Sequence, residues 1–434
     1  MQVQTFHSSG FYLLAAARGA LRLTVALGCS GFIALLLLQS TTALAQEADT
    51  APAVRDSFSI NSAYFTNDYA NNIDYAQFTL DTHSASGRLA MYGYNKYADV
   101  LNGPWSRVGY LFGSSLVRAT VSQGIVYHEW GHANRVVALG GTATMSKCAP
   151  GNDGKRWCPA PRDFFGYAGS QLFTLNGGAV QPAGQIDQAN ASSGKAVRNI
   201  FIGAGVNNDE LVADKYAEQH FVNGSGHLFG SSAGNLSIAL YGPKGPNGDM
   251  GQAAAHYRAT GVDKQITERD LQNISKFSLL SGSNVTTARS LYEFVVNGNY
   301  TTKPWTINGF LVPNQYNYIS SRGITRKWVS GYEWNDTTKL LGSYEYVVRG
   351  DKFAEPGVGI YKNFGEWDAL FKVSGKSLSW ANWETSISKR LNKNWKLTAT
   401  AYVWDSRSLL GERNSLKLKD NKSAQASVGV AYEY

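Results

Sequence analysis

Cysteine is scarce, with three in 434 residues, and acids are outnumbered, 32 Asp and Glu against 40 Lys and Arg. Cys29 falls in the N-terminal segment, so only Cys148 and Cys158 remain in the body of the chain. That excludes a disulfide-dense scaffold and a multi-cysteine metal cluster. The pair encloses the short loop "APGNDGKRW" and reads as a disulfide of an oxidising compartment, because no further Cys or nearby His completes a metal set. Beyond residue 45 the chain also lacks the ~20 uninterrupted apolar residues of a spanning helix, which leaves strands or surface association as its routes to a membrane. The excess of bases is dispersed, without a basic block or an aromatic-basic repeat, and this argues against a nucleic-acid partner.

The N-terminus reads as a targeting segment. Arg18 and Arg22 precede "GFIALLLL", and Ala43 and Ala45 form a small-x-small cleavage signal, so residues 1–45 are expected to be a secretory signal peptide. Without its two arginines the remainder carries 40 − 2 = 38 bases against 32 acids, a mild +6.

Three textures follow. Residues 46–103 are rich in Tyr, Asn, Thr and Ser, and "FSINSAYF", "DYAQFTLDTH" and "RLAMYGYN" read as short strands. Residues 104–300 carry helical spacing in "RVGYLFGSSLVRATVSQGIVYHEWGHANRVVAL", "NDELVADKYAEQHF", "ERDLQNISKFSLL" and "NVTTARSLYEFVV", with Thr267 and Asn284 as expected N-caps. Residues 301–434 alternate again. In "NWKLTATAYVW" Trp395, Leu397, Ala399, Ala401 and Val403 oppose Lys396, Thr398 and Thr400. In "AQASVGVAYEY" Ala426, Val428, Val430, Tyr432 and Tyr434 oppose Gln425, Ser427 and Glu433. The expected fold class is α+β: antiparallel barrel-like strands at both ends around a helical insert. The alternating strands, their aromatic ends and the final Tyr434 resemble bacterial outer-membrane barrels. A soluble sandwich with one wet face shows the same alternation.

The chemistry concentrates in His128-Glu129-Trp130-Gly131-His132, an H-E-x-x-H pattern. Residues four apart share a helix face, so both imidazoles can reach one zinc, with Glu129 beside the water it would deprotonate. A catalytic zinc needs a third ligand. Glu210 and Asp214, four apart in "NNDELVADKYAEQHF", are the expected ligand and histidine-orienting acid.

"HEWGH" followed by "ELVADKYA" resembles the gluzincin metallopeptidases, closest to the family of the CAAX-prenyl endopeptidase and the bacterial heat-shock membrane protease. The likeness covers these two segments, 77 residues apart between His132 and Glu210. It implies His128, His132 and Glu210 as zinc ligands, Glu129 as general base and acid, and Asp214 as the partner of a ligand histidine. His256, in "AAAHYRATG", is the preferred transition-state donor, and His227, in "GSGHLFG", a candidate to gate the open zinc position. By analogy with gluzincins, Thr142 to Met145 could be an edge strand that pairs with the substrate backbone. The motif also looks like site-2 proteases, whose third ligand is an Asp of a later membrane helix, a role Asp209 could fill.

The expected function is therefore a zinc endopeptidase of the bacterial envelope, with Zn2+ as cofactor, protein or peptide as substrate, and outer-membrane lipid as a partner. The alternatives are a non-enzymatic outer-membrane barrel (structural, assembly or pore protein) with a helical plug, and a soluble periplasmic peptidase.

Overall fold

The computed structural model describes residues 57–62, 76–77, 79–81, 94, 96–97, 99–121, 124–147, 178–183, 194–223, 245, 248–298, 304–378 and 381–433. The expected signal peptide, His227 and the Cys148–Cys158 pair lie outside them.

Alternation organises most of the C-terminal half. β1 (Ser57–Asn61) belongs to the same sheet as β4 (Thr306–Ile307), β5 (Phe310–Leu311), β6 (Asn314–Ser320), β7 (Gly323–Asn335), β8 (Thr338–Gly350), β9 (Ala354–Asn363), β10 (Trp367–Gly375), β11 (Ala381–Arg390), β12 (Trp395–Asp405) and β13 (Lys422–Glu433). The order is β1-β13-β12-β11-β10-β9-β8-β7-β5-β4, with β6 also on β7, and every pairing is antiparallel. Turn chemistry sets the short connections. The Asn335 side chain accepts from Thr337 N–H, the Asn392 side chain accepts from Asn394 and Trp395 N–H, and Gly365 takes the positive φ its turn requires. The architecture is thus mixed helix and antiparallel sheet. The expected barrel differs in one respect: among the described residues no pairing joins β1 to the β4–β6 edge.

The helical part runs α1 (Pro104–Val121), α2 (Gly124–Ala138), the hairpin β2 (Thr142–Lys147) and β3 (Gly178–Ala183), α3 (Asn199–Ile202), α4 (Ala204–Asn223), α5 (Asp249–Thr260), α6 (Glu268–Ser275), a 3₁₀ turn (Lys276–Leu280) and α7 (Gly282–Asn297); α8 (Leu409–Asn414) lies between β12 and β13. The long helical pattern before Leu139 is helical over Pro104–Val121 and Gly124–Ala138. Thr267 caps α6 through a reciprocal box with Asp270. Asn284 is not a cap: α7 begins earlier, after Ser281, and Asn284 donates back to the Ser278 and Leu279 carbonyls. "DYAQFTLDTH", expected as a strand, is helical at residues 76, 77 and 79–81. There Asp81 accepts from the Ser59 N–H and from Gln77, and Gln77 also meets Gln219 of α4. Tertiary hydrogen bonds override the local β pattern.

The two faces of the sheet have inverted chemistry. One face packs on α4 and is polar: Lys327 pairs with Asp214 at 2.5 Å, Lys215 with Glu384 at 2.5 Å, Lys372 with Glu218 at 2.9 Å and Lys396 with Asp368 at 2.6 Å. Its edge toward α8 holds a buried bidentate pair, Arg413 to Glu345 at 2.6 and 2.7 Å, with the guanidinium over the Tyr318 ring. The opposite face is apolar and exposed, including Val358 at 64 %, Val428 at 55 %, Ile387 at 45 % and Trp367 at 45 %. Val428 belongs to the alternation visible in the sequence, and it points outward. The main apolar core instead lies at the β6–β7 turn end, where Ile319, Ile324 and Leu418 pack with Val136, Ile200, Phe201, Met250 and Tyr257.

Removing one partner of a buried ion pair strands the other charge. Arg413→Met is therefore expected to lower unfolding free energy by about 3–5 kcal/mol, read from the urea midpoint, with an apolar exchange at both 413 and 345 recovering most of the loss.

Candidate metal centre

The site begins with a close helix crossing. Gly131 of α2 faces α4, and a Cβ there would collide with the Asn208 amide and the Ala204 carbonyl. Asn208 in turn donates to the Tyr127 carbonyl at 2.9 Å, tying the two helices together. Behind them Trp130, Ala133 and Val136 are fully buried and fix the rotation of α2. Gly140, with φ +87°, then ends the helix and releases the chain into β2.

This crossing sets both imidazoles against α4. His128 Nδ1 lies 2.9 Å from the Asp209 carboxylate and His132 Nδ1 lies 2.6 Å from the Phe201 carbonyl. Neither oxygen can donate, so each Nδ1 carries the proton and each Nε2 faces the space between the rings. Into that space projects Asp249, from the first turn of α5, with one carboxylate oxygen 3.3 Å from His128 Nε2 and 3.4 Å from His132 Nε2. Two atoms on one tetrahedral ion with bonds near 2.05 Å stand about 3.3 Å apart, so these separations are those of shared ligands. His128, His132 and Asp249 thus form a group able to hold a metal ion.

Gly205 supplies the room. A Cβ on it would fall within bonding range of both Nε2 atoms, the place an ion held by these nitrogens would take. The side chains of His128, His132 and Asp249 keep 14, 11 and 19 % of their surface, so the centre is recessed yet open. Glu129 adjoins it, 9 % exposed, with no hydrogen bond to another described residue.

The charges explain the acid–base behaviour. Burial disfavours the charged His128 ring, but the Asp209 charge and the hydrogen bonds to Asp209 and Asp249 outweigh it and hold the pKa well above the ordinary value. His132 is raised in the same way, burial being overcome by Asp249. Asp249, although buried, is held well below the usual carboxylate range by the two rings.

The sequence-predicted residues divide. His128, Glu129 and His132 come together. Glu210 does not join them: it follows Asp209 on α4, and one residue of helix turns the side chain by about 100°. It is fully buried on the β6 side with no well-formed hydrogen bond. Burial pushes its carboxyl well above the usual range, the Asn317 N–H opposing and Asp209 and Asp214 adding to the rise. Asp214 accepts from Lys327 and from the Tyr318 hydroxyl rather than from a ligand histidine. The histidine-orienting acid is Asp209. His256 lies two turns beyond Asp249 on α5, about 10 Å along the axis, where burial and the Arg198 charge lower its pKa. Asp249 escaped the sequence reading, although a helix opening on "GDMG" after a Gly/Pro-rich stretch was its available signal. No family model, curated protein or solved structure matches this chain.

One divalent ion per chain is expected by elemental analysis, lost in His132→Ala, Asp249→Ala and Gly205→Ala and retained in Glu210→Gln. Asp209→Asn is expected to weaken binding by about 10–100-fold, as loss of an orienting partner does elsewhere. The pH dependence has a definite sign. In the metal-free chain the raised histidine pKa values stabilise the fold below the ordinary range near 6.5, and this is lost as pH rises through the raised values. Metal binding needs neutral rings, so affinity measured by calorimetry should rise over that same window.

Proposed function

We propose that this chain is a zinc-dependent endopeptidase of the bacterial cell envelope, carried on an outer-membrane-type β-barrel. The observation that carries the hydrolase reading is the pairing of an open two-histidine, one-carboxylate seat with an uncommitted Glu129 on the same helix. Three protein ligands and one open position are the pattern of catalytic zinc. A bound zinc ion supplies Lewis acidity, bringing the pKa of a water to ~7 and polarising a peptide carbonyl.

The chain's own groups then have defined tasks. Asp209 and the Phe201 carbonyl hold the two Nδ1 protons, which keeps both Nε2 lone pairs toward the seat. Glu129 takes the proton of the attacking water on a carboxylate oxygen and returns it to the leaving amine as the C–N bond breaks. Thr142–Lys147, which pairs with β3 on one edge, directly follows the metal helix and is available on its other edge among the described strands for an extended peptide.

Support for the membrane part comes from the sheet's inversion. An apolar exposed face over a polar, ion-paired interior is the pattern of a lipid-facing barrel, and Trp334, Trp367, Trp395 and Tyr432 collect near one end of the strands, as an aromatic girdle would. No described helix is long and apolar enough to cross a membrane, which leaves strands for that role. The ion pairs that seat α4 on the polar face favour the second reading, a barrel with a helical plug and no catalysis.

Glu129→Gln separates the two readings. The variant is expected to retain stoichiometric zinc and to lose peptide-bond cleavage by about 10²–10⁴-fold against unfolded envelope proteins, scored by new N-termini. Zinc-loaded wild-type protein without such cleavage would leave only the plugged barrel. Heat-modifiable gel mobility in detergent extracts tests the barrel itself.

A further inference from the structure

The apolar exterior does not stop at the strands. Arg326 points to the exposed face of β7, between Thr325 and Lys327, which face the other way, and its guanidinium sits 4.6 Å from the Phe277 ring. Phe277 belongs to the 3₁₀ turn, so the turn lies alongside the outward surface of β7, near Trp328. The same turn exposes Leu279 and Leu280, the latter at 68 %, and runs directly into α7.

α7 and α1 carry the surface onward. Phe294 of α7 is fully buried against Tyr94, in a cluster with Leu111 of α1, and Arg107 of α1 donates to the Val295 and Val296 carbonyls. With those faces used, each helix turns an apolar stripe outward. On α1 it is Trp105, Val108 and Phe112, with Trp105 at 86 % and Phe112 at 76 % exposed. On α7 it is Val285, Tyr292 and Val296, with Tyr292 at 62 %. Spacings of three, four and seven place each set on one side of its helix. Soluble surfaces rarely expose a contiguous apolar area of more than a few hundred Å².

We infer that the 3₁₀ turn, α7 and α1 form a helical rim that lies in the bilayer surface and extends the lipid-facing belt of the strands. This rests on the barrel reading above. Two observations select lipid as the occupant. The rim continues from the outward face of β7 through Phe277, and the outward stripe of α1 meets no acid on its own helix that would repel anionic headgroups. Trp105 in the first turn of α1 and Tyr292 on α7 are the amphipathic rings favoured at that depth.

The test is nitroxide accessibility on the full chain in phosphatidylethanolamine–phosphatidylglycerol vesicles. Labels go on Phe112→Cys and Tyr292→Cys, with Ile387→Cys and Val428→Cys as belt references and Asp420→Cys as the aqueous reference, in a background where Cys29, Cys148 and Cys158 are serine. The expected result is oxygen accessibility exceeding that of a soluble nickel complex at 112 and 292, as at 387 and 428. If 112 and 292 match 420 while 387 and 428 remain lipid-like, the rim inference fails and the barrel stands. If all four match 420, the barrel reading fails and takes the rim with it. Dipolar broadening at 112 and 292, with neither reagent reaching them, would assign the stripe to a second copy of the chain and overturn the inference.

Discussion

The close crossing of α2 and α4 is the constraint on which the rest depends. Two glycines on facing helices, Gly131 and Gly205, remove the side chains that would hold the axes apart. The gain is not only packing. With the axes close, Asp209 reaches His128, the Phe201 carbonyl just before α4 reaches His132, and the space before Gly205 is left for Asp249 and an ion. A methyl group at either glycine forces the helices apart or fills the seat.

Inverted burial divides the molecule's energetics. The β6–β7 turn end is held by an apolar core of the ordinary kind, shared among α2, α3, α5, α6 and the sheet. The interior of the sheet is held by ion pairs, hydroxyls and the buried Arg413–Glu345 pair, which stabilise only because each charge has its partner. Apolar contacts between α4 and the strands supplement them, Phe221 and Val222 with Leu341 and Tyr361, and Ala213 with Tyr316 and Val329.

Much of this was legible in the sequence, and what was missed has physical causes. "HEWGH" specifies a helix face by spacing alone, so His128, His132 and Glu129 follow from the periodicity. Strands β12 and β13 follow from alternation in the same way, but alternation is blind to sidedness: Leu397 and Val428 alternate identically whether they face a core or lipid. The third ligand fails for a different reason. Spacing within "NNDELVADKYA" cannot say which of two adjacent acids faces a partner helix, and the packing of Gly205 turned Asp209 inward and Glu210 toward β6. Asp249 belongs to a segment whose approach is decided by tertiary packing of Met250 and Tyr257, which no local pattern carries.

α4 is one uninterrupted rod of 20 residues, and it serves two masters. Its first turns lean on the histidines, while its later turns are clamped by lysines and glutamates of the strand wall. Nothing along it can hinge, since helix interiors bend sharply only at proline, glycine pairs or inserted groups. Curvature imposed on the wall by its surroundings would thus arrive at Asp209 and Gly205 as a rotation of the same axle, making the geometry around the histidines a gauge of the mechanical state of the sheet.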